Sequence, residues 1–156
     1  MSDADGPDAI SMEALVEQSP DAVIFADSSG VIRVWNAASE RIFGHTREQA
    51  IGQLLDLIVP ERFREAHWEG FERAIVDGET KYAGQSLPTR ALRGDGEQFY
   101  VELSFAIVRN DEGEVVGALA TARDITERFE QDRANRRRLA ELEESLKELD
   151  VEDGGT

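Results

Sequence analysis

The chain carries few groups capable of covalent chemistry. It has no cysteine, and its two histidines are His45 and His67. The lack of thiols excludes a disulfide framework, a thiol nucleophile, a cysteinyl-flavin photosensor and a cysteine-ligated iron–sulfur cluster. Zinc would have to be held mainly by carboxylates, which is not its preferred ligand set. No Gly-rich phosphate loop and no Ser/His/Asp set at a recognisable spacing is present, so no enzyme activity is expected. His67 stands apart. Phe63, His67 and Phe71 recur at intervals of four and Ile75 continues the row, which puts the imidazole on an apolar face of a helix. A neutral imidazole in that setting either ligates a metal centre or packs as a hydrogen-bonded core residue.

Charge narrows the range of partners. The 33 Asp and Glu against 17 Lys and Arg give a net charge of −16, which repels nucleic acid and anionic lipid. Neither is expected as a partner. One basic cluster, Arg133 with Arg136–Arg138, interrupts the acidity, and pairing with nearby carboxylates such as Glu141 at helical spacing is expected. No run of about 18 apolar residues is present to span a membrane. The acidic start, Met1 to Pro7, lacks the basic and apolar regions of a signal peptide. The expectation is a soluble, cytoplasmic chain.

The elements that must position His67 can be read from periodicity and turn residues. Residues 1–8 are small, acidic and expected to be disordered. Residues 9–19 suggest a short amphipathic helix with Ile10, Leu15 and Val16 seeking a partner surface, ended by Ser19-Pro20-Asp21. The stretches 22–27 and 31–35 form a hairpin across Ser28-Ser29-Gly30. Short helical pieces follow at 37–44, 46–52 and 54–59, with Thr46 and Gln49 as a capping box. Residues 61–76 form the longest helix of this region. Strands at 81–93, 98–109 and 114–124 are separated by Gly94-Asp95-Gly96 and by Asn110 to Gly113. The order predicts an α+β fold: a five-stranded antiparallel sheet with helices on one face.

A last helix is expected over 126–149, with Asp124 as its cap. Leu139, Leu142, Leu146 and Leu149, spaced 3, 4, 3, make a heptad seam. Two heptads extend a folded dimer but do not hold one alone. Residues 150–156 are expected to fray.

Over residues 20–130 the sequence resembles the PAS family. The resemblance rests on Pro20-Asp21-Ala22-Val23, Trp35-Asn36-Ala37-Ala38, Phe43-Gly44 followed by Gly52, Pro60-Glu61, Gly78-Glu79, Arg93-Gly94-Asp95-Gly96 and Arg123-Asp124-Ile125-Thr126-Glu127-Arg128. It implies a PAS domain over 20–125 whose concave sheet cradles a ligand or packs on itself. It further implies that the state of the last strand passes through Arg123, Asp124 and Thr126 into the outgoing signalling helix.

The resemblance also bears on a cofactor. Counting without gaps from Pro60-Glu61 to Gly78-Glu79, His67 falls on the iron-ligand place of FixL-type heme PAS domains, with Phe63 and Phe71 excluding water. Leu87 then takes the place of the distal arginine, and the glycine after the histidine falls one position late. An apolar distal side favours CO or NO over oxygen, or is simply a core. The only metal implied for His67 is heme iron. Non-covalent flavin is a second candidate, with Trp35, Asn36 and Gln85 as contacts, although Trp35 and Asn36 are also explained as structure. Trp68 is expected as a part-buried anchor or dimer contact, and His45 as exposed. The functional expectation is a sensory and dimerisation module, a homodimer through its N- and C-terminal helices, acting on an unidentified downstream signalling protein. The alternative is a ligand-free interaction domain with a filled core.

Overall fold

A computed structural model of the chain describes residues 9–81 and 84–154. The tail expected at 1–8 lies outside these residues. The structure divides into two compact units, Met1–Asp124 and Ile125–Thr156.

The first unit opens with α1 (Met12–Glu17), shorter than the helix expected over 9–19. Ser11 accepts from the Ala14 N–H and fixes the start, and Pro20 prevents continuation. Strands β1 (Ala22–Asp27) and β2 (Ile32–Trp35) form the hairpin. Its turn is held by Asp27, whose Oδ1 accepts from Ser29 N at 3.0 Å and Val31 N at 3.2 Å. Helices α2 (Ala37–Phe43) and α3 (Arg47–Ala50) follow, α3 with the Thr46–Gln49 capping box complete. Two short 3-10 turns, Leu55–Ile58 and Glu61–Phe63, lead into α4 (Arg64–Asp77).

Strands β3 (Ser86–Leu92), β4 (Gln98–Arg109) and β5 (Val115–Asp124) complete the unit. The sheet order is β2-β1-β5-β4-β3, antiparallel throughout. The last strand therefore lies at the centre, between β1 and β4. Strand β3 is shorter than the stretch expected over 81–93, and it holds Pro88, which a sheet tolerates on an edge strand.

Alternation along the strands sends one set of side chains to the helix-covered face. Ala22, Ile24 and Ala26 of β1, Phe99 and Val101 of β4 and Ala122 of β5 are buried there with Trp35, Ile42 and Phe43. Phe43 links Trp35 to Phe99, each pair of ring centroids 5.6 Å apart. Burying each of these rings stabilises the unit by roughly 1.5–3 kcal/mol.

The second unit is one helix, α5 (Thr126–Gly154). It runs past Leu149, so the segment expected to fray starts helical. Leu139, Leu142, Leu146 and Leu149 are each more than half exposed. The pairing expected for the basic cluster is not formed: among the described residues Arg133 and Arg136–Arg138 make no ion pair. An exposed pair returns too little energy to hold two long side chains in one geometry. Among the described residues no helix is long and apolar enough to cross a membrane.

Candidate functional site

Helix α4 and the sheet flank an open-sided pocket of about 410 Å³. On the helix side Ala66, His67, Gly70, Phe71 and Ala74 line it, following the three- and four-residue recurrence of one helical face. On the sheet side it is closed by Phe105 and Ile107 of β4 and Ala118 of β5, and Ile107 and Ala118 are directly paired across the ladder. The lining is mixed: it is apolar on the sheet side, and Glu69, Arg73, Asp77, Glu79 and Lys81 also contribute to it.

His67 is half-buried in this wall, its ring stacked on Phe71 at 6.1 Å and edge-on to Trp68 at 5.2 Å. Trp68 and Phe71 are 5.6 Å apart, so the three rings form one aromatic cluster. Desolvation pushes the His67 pKa below the usual 6.5 and Asp56 partly offsets it, so the imidazole is neutral at pH 7. Its Nδ1 is buried and has no hydrogen-bond partner among the described residues. Trp68 is the part-buried anchor expected, with Nε1 donating to Asp56 Oδ1 at 2.7 Å.

The other residues picked out for a cofactor are placed elsewhere. Phe63, next to α4, is 40% exposed beneath the Arg62 guanidinium. Leu87 of β3 is half-buried opposite Leu103 and is not part of the cavity wall. Trp35 and Asn36, considered for flavin, are consumed by the fold. Trp35 Nε1 donates to the His45 carbonyl at 3.0 Å. Asn36 Oδ1 accepts from Val23 N, Ser39 N and the Ser39 hydroxyl, and its amide donates to the Val16 and Asp21 carbonyls. Gln85 is exposed ahead of β3. His45, expected in solvent, is half-buried beside Trp35, its Nε2 inaccessible and unpartnered.

The end of β5 is held from two sides. Arg123 makes a two-pronged pair with Asp21, just ahead of β1, at 3.0 and 3.2 Å. Asp124 accepts from Arg93 at 2.9 Å. The same Arg93 guanidinium lies 3.7 Å from the Phe99 ring centroid and donates to the Ile42 carbonyl at the end of α2. Asp124 is two residues ahead of Thr126, the first residue of α5. Sequence reasoning had identified Arg93 only as part of a turn. It missed Phe105, Ile107 and Ala118, although the alternation of β4 and β5 turns them to the same face as Val101 and Ala122.

A family whose description is PAS fold matches residues 16–130, the stretch that holds this sheet, the cavity and the β5 terminus. The chain belongs to the PAS family. Among curated relatives of this PAS domain, the sensor protein FixL of Bradyrhizobium diazoefficiens is 30% identical over 135 residues, covering 86% of this chain and 26% of that protein. The oxygen sensor protein DosP of Escherichia coli is 30% identical over 125 residues, covering 80% of this chain and 15% of DosP. The chain thus spans about a quarter or less of the length of these relatives. A solved PAS domain from Colwellia psychrerythraea superposes with a TM-score of 0.64 at 28% identity, covering 74% of this chain and 94% of that one.

Burial favours the neutral imidazole of His67, the form that an iron ligand requires, and Ala66, Gly70 and Ala74 leave the helix face low opposite Phe105, Ile107 and Ala118, while Glu69, Arg73, Asp77, Glu79 and Lys81 also line the pocket.

Proposed function

We propose that this PAS domain is a sensory and dimerisation module: the occupant of the cavity beside His67 sets the state of β5, and β5 passes it to α5. The observation that carries this reading is the cavity. It offers about 410 Å³ beside His67, with an apolar lining from Phe71, Phe105, Ile107 and Ala118 and a charged lining from Glu69, Arg73, Asp77, Glu79 and Lys81, a mix of apolar surface and polar groups that suits a small molecule.

Strand β5 joins the cavity to the outgoing chain. Ala118 forms part of the wall, and six residues further along the same strand Asp124 is held by Arg93. A ligand that displaces Ala118 strains the Arg93–Asp124 and Arg123–Asp21 pairs at the strand's end. These are two discrete contacts that can be kept or exchanged. Arg123, Asp124 and Thr126 are thereby the signal-transfer residues of this reading.

Heme is the occupant favoured by His67. A heme there would be held by His67 through its iron, with Phe71, Phe105 and Ile107 as apolar lining. Bound there, heme supplies an iron centre able to take up a diatomic gas. Self-association through α1 and α5 covers Ile10, Met12, Leu15 and the α5 leucines, all at least half exposed.

The test is an absorption spectrum of the purified protein with and without added hemin, alongside native mass spectrometry for any other copurified ligand. A Soret band lost in His67→Ala supports the heme assignment. A different bound small molecule, displaced when Ala118→Leu fills the cavity, supports the ligand-sensing reading without heme. A protein that binds neither is a filled-core module, and the sensory proposal falls.

A further inference from the structure

Two polar atoms near Trp68 have no protein partner among the described residues, and the first of them is also shut off from water. One is His67 Nδ1, buried and unbonded. The other is Asp56 Oδ2: Asp56 uses Oδ1 for the Trp68 indole and its main-chain carbonyl for Arg64, and among the described residues nothing bonds to Oδ2. Asp56 is near enough for its charge to act on the imidazole. A buried ring nitrogen with no partner has lost its hydration without compensation, and a carboxylate oxygen is the strongest acceptor that could restore it. The bond would form by rotation of the two side chains, with Asp56 keeping Oδ1 on the Trp68 indole.

We propose that Asp56 is the positioning residue of the cavity histidine: it accepts the Nδ1–H of His67 and fixes the tautomer whose Nε2 lone pair is left for the occupant. This rests on the reading of the cavity as a ligand site and adds the chemistry that the ligand must have. An imidazole held in this tautomer is an acceptor. The occupant therefore meets it with a hydroxyl, an N–H or a metal centre, and a ligand offering only carbonyl or carboxylate oxygens at that point is rejected. Asp56 also ties the choice to Trp68, since the carboxylate that orients His67 is the one that holds the indole.

The two tautomers are distinguished by the ¹⁵N shifts of the His67 ring in ligand-free protein near pH 8. The wild type is expected to favour Nδ1–H by roughly tenfold or more, because the bond is made to a charged acceptor. Asp56→Asn keeps an oxygen for the Trp68 indole but replaces the second acceptor by an N–H donor. In that variant the preference should reverse to Nε2–H. Trp68→Phe removes the indole claim on Asp56 and should leave the wild-type tautomer in place, which guards against a general loss of packing. A wild type in the Nε2–H form, or an Asp56→Asn spectrum matching the wild type, overturns the proposal. The measurement uses no ligand, so its outcome is separate from whether the cavity is found occupied.

Discussion

Arg93 and Asp124 form a 2.9 Å ion pair that ties the β3–β4 turn to the last residue of β5. Both side chains are partly buried, at 23% and 34% relative exposure, and the guanidinium also covers Phe99 and caps the α2 terminus. Removing it deletes a stacking contact and two hydrogen bonds together. Arg93→Ala is expected to cost about 2–3 kcal/mol of unfolding free energy, more than an isolated surface pair is worth. Arg93→Lys should recover only part of this, because an ammonium lacks the planar fork that reaches two acceptors while lying on a ring. Urea unfolding of the two variants checks the order. Equal stability of Arg93→Ala and wild type would deny Arg93 its clamping role.

Asn36 is a second joint, between α1, β1 and α2. It is 1% exposed and all its side-chain hydrogen-bonding groups are engaged. Asn36→Ala leaves Val23 N–H, Ser39 N–H and two carbonyls short of a partner, and about 2–4 kcal/mol is expected to be lost. Asn36→Asp preserves the acceptors but loses both donors and buries a charge, so it should be no better at neutral pH. Thermal melts of both variants, with the exposed Glu48→Ala as control, provide the comparison.

These two joints show what could be read from sequence. The sheet, its strand order along the chain and the leucine seam follow from residue periodicity and from turns such as Gly94-Asp95-Gly96, where local chemistry dictates the outcome. Asn36 was legible as a turn-bonding residue because its position ahead of Ala37-Ala38 is that of a helix cap. The cavity was legible only on its helix side. His67 and Phe71 announce themselves by spacing, whereas Phe105, Ile107 and Ala118 reach it through strand register. Leu87 illustrates the limit. An ungapped count carried it to the distal place, but β3 lies on the sheet edge and pairs Leu87 with Leu103. Pairings such as Arg93–Asp124 and Arg123–Asp21 join residues 31 and 102 positions apart, and no local pattern encodes them.

Gly30 tests how the hairpin seats on α4. Its φ of +83° is one that side chains rarely adopt, and a Cβ there would collide with the Trp68 ring. Gly30→Ala therefore incurs both strain and overlap, and a loss of about 2–3 kcal/mol is expected. Trimming the ring in Gly30→Ala/Trp68→Leu relieves the overlap but not the strain. The double variant should be less destabilised than the sum of the two single changes. Additive losses, measured as a double-mutant cycle by urea unfolding, would show that Trp68 and Gly30 do not meet.

The two histidines give the ligand-free protein a pH dependence with a definite sign. Burial lowers the pKa of both His45 and His67 from 6.5, so the unfolded chain takes up protons that the folded chain refuses. Their contribution is complete above pH 6.5. It is lost progressively as pH falls through 6.5 towards the depressed folded values, where both states are protonated and the loss is full. Stability should therefore decline as pH falls below about 6.5, ahead of the range in which the carboxylates titrate. In His45→Gln/His67→Gln the curve over that window should flatten, since glutamine fills similar space and carries no proton equilibrium. Urea midpoints at half-unit pH steps measure this. A double variant that keeps the full wild-type slope would place the proton uptake on other groups and show that neither imidazole is desolvated in the folded state.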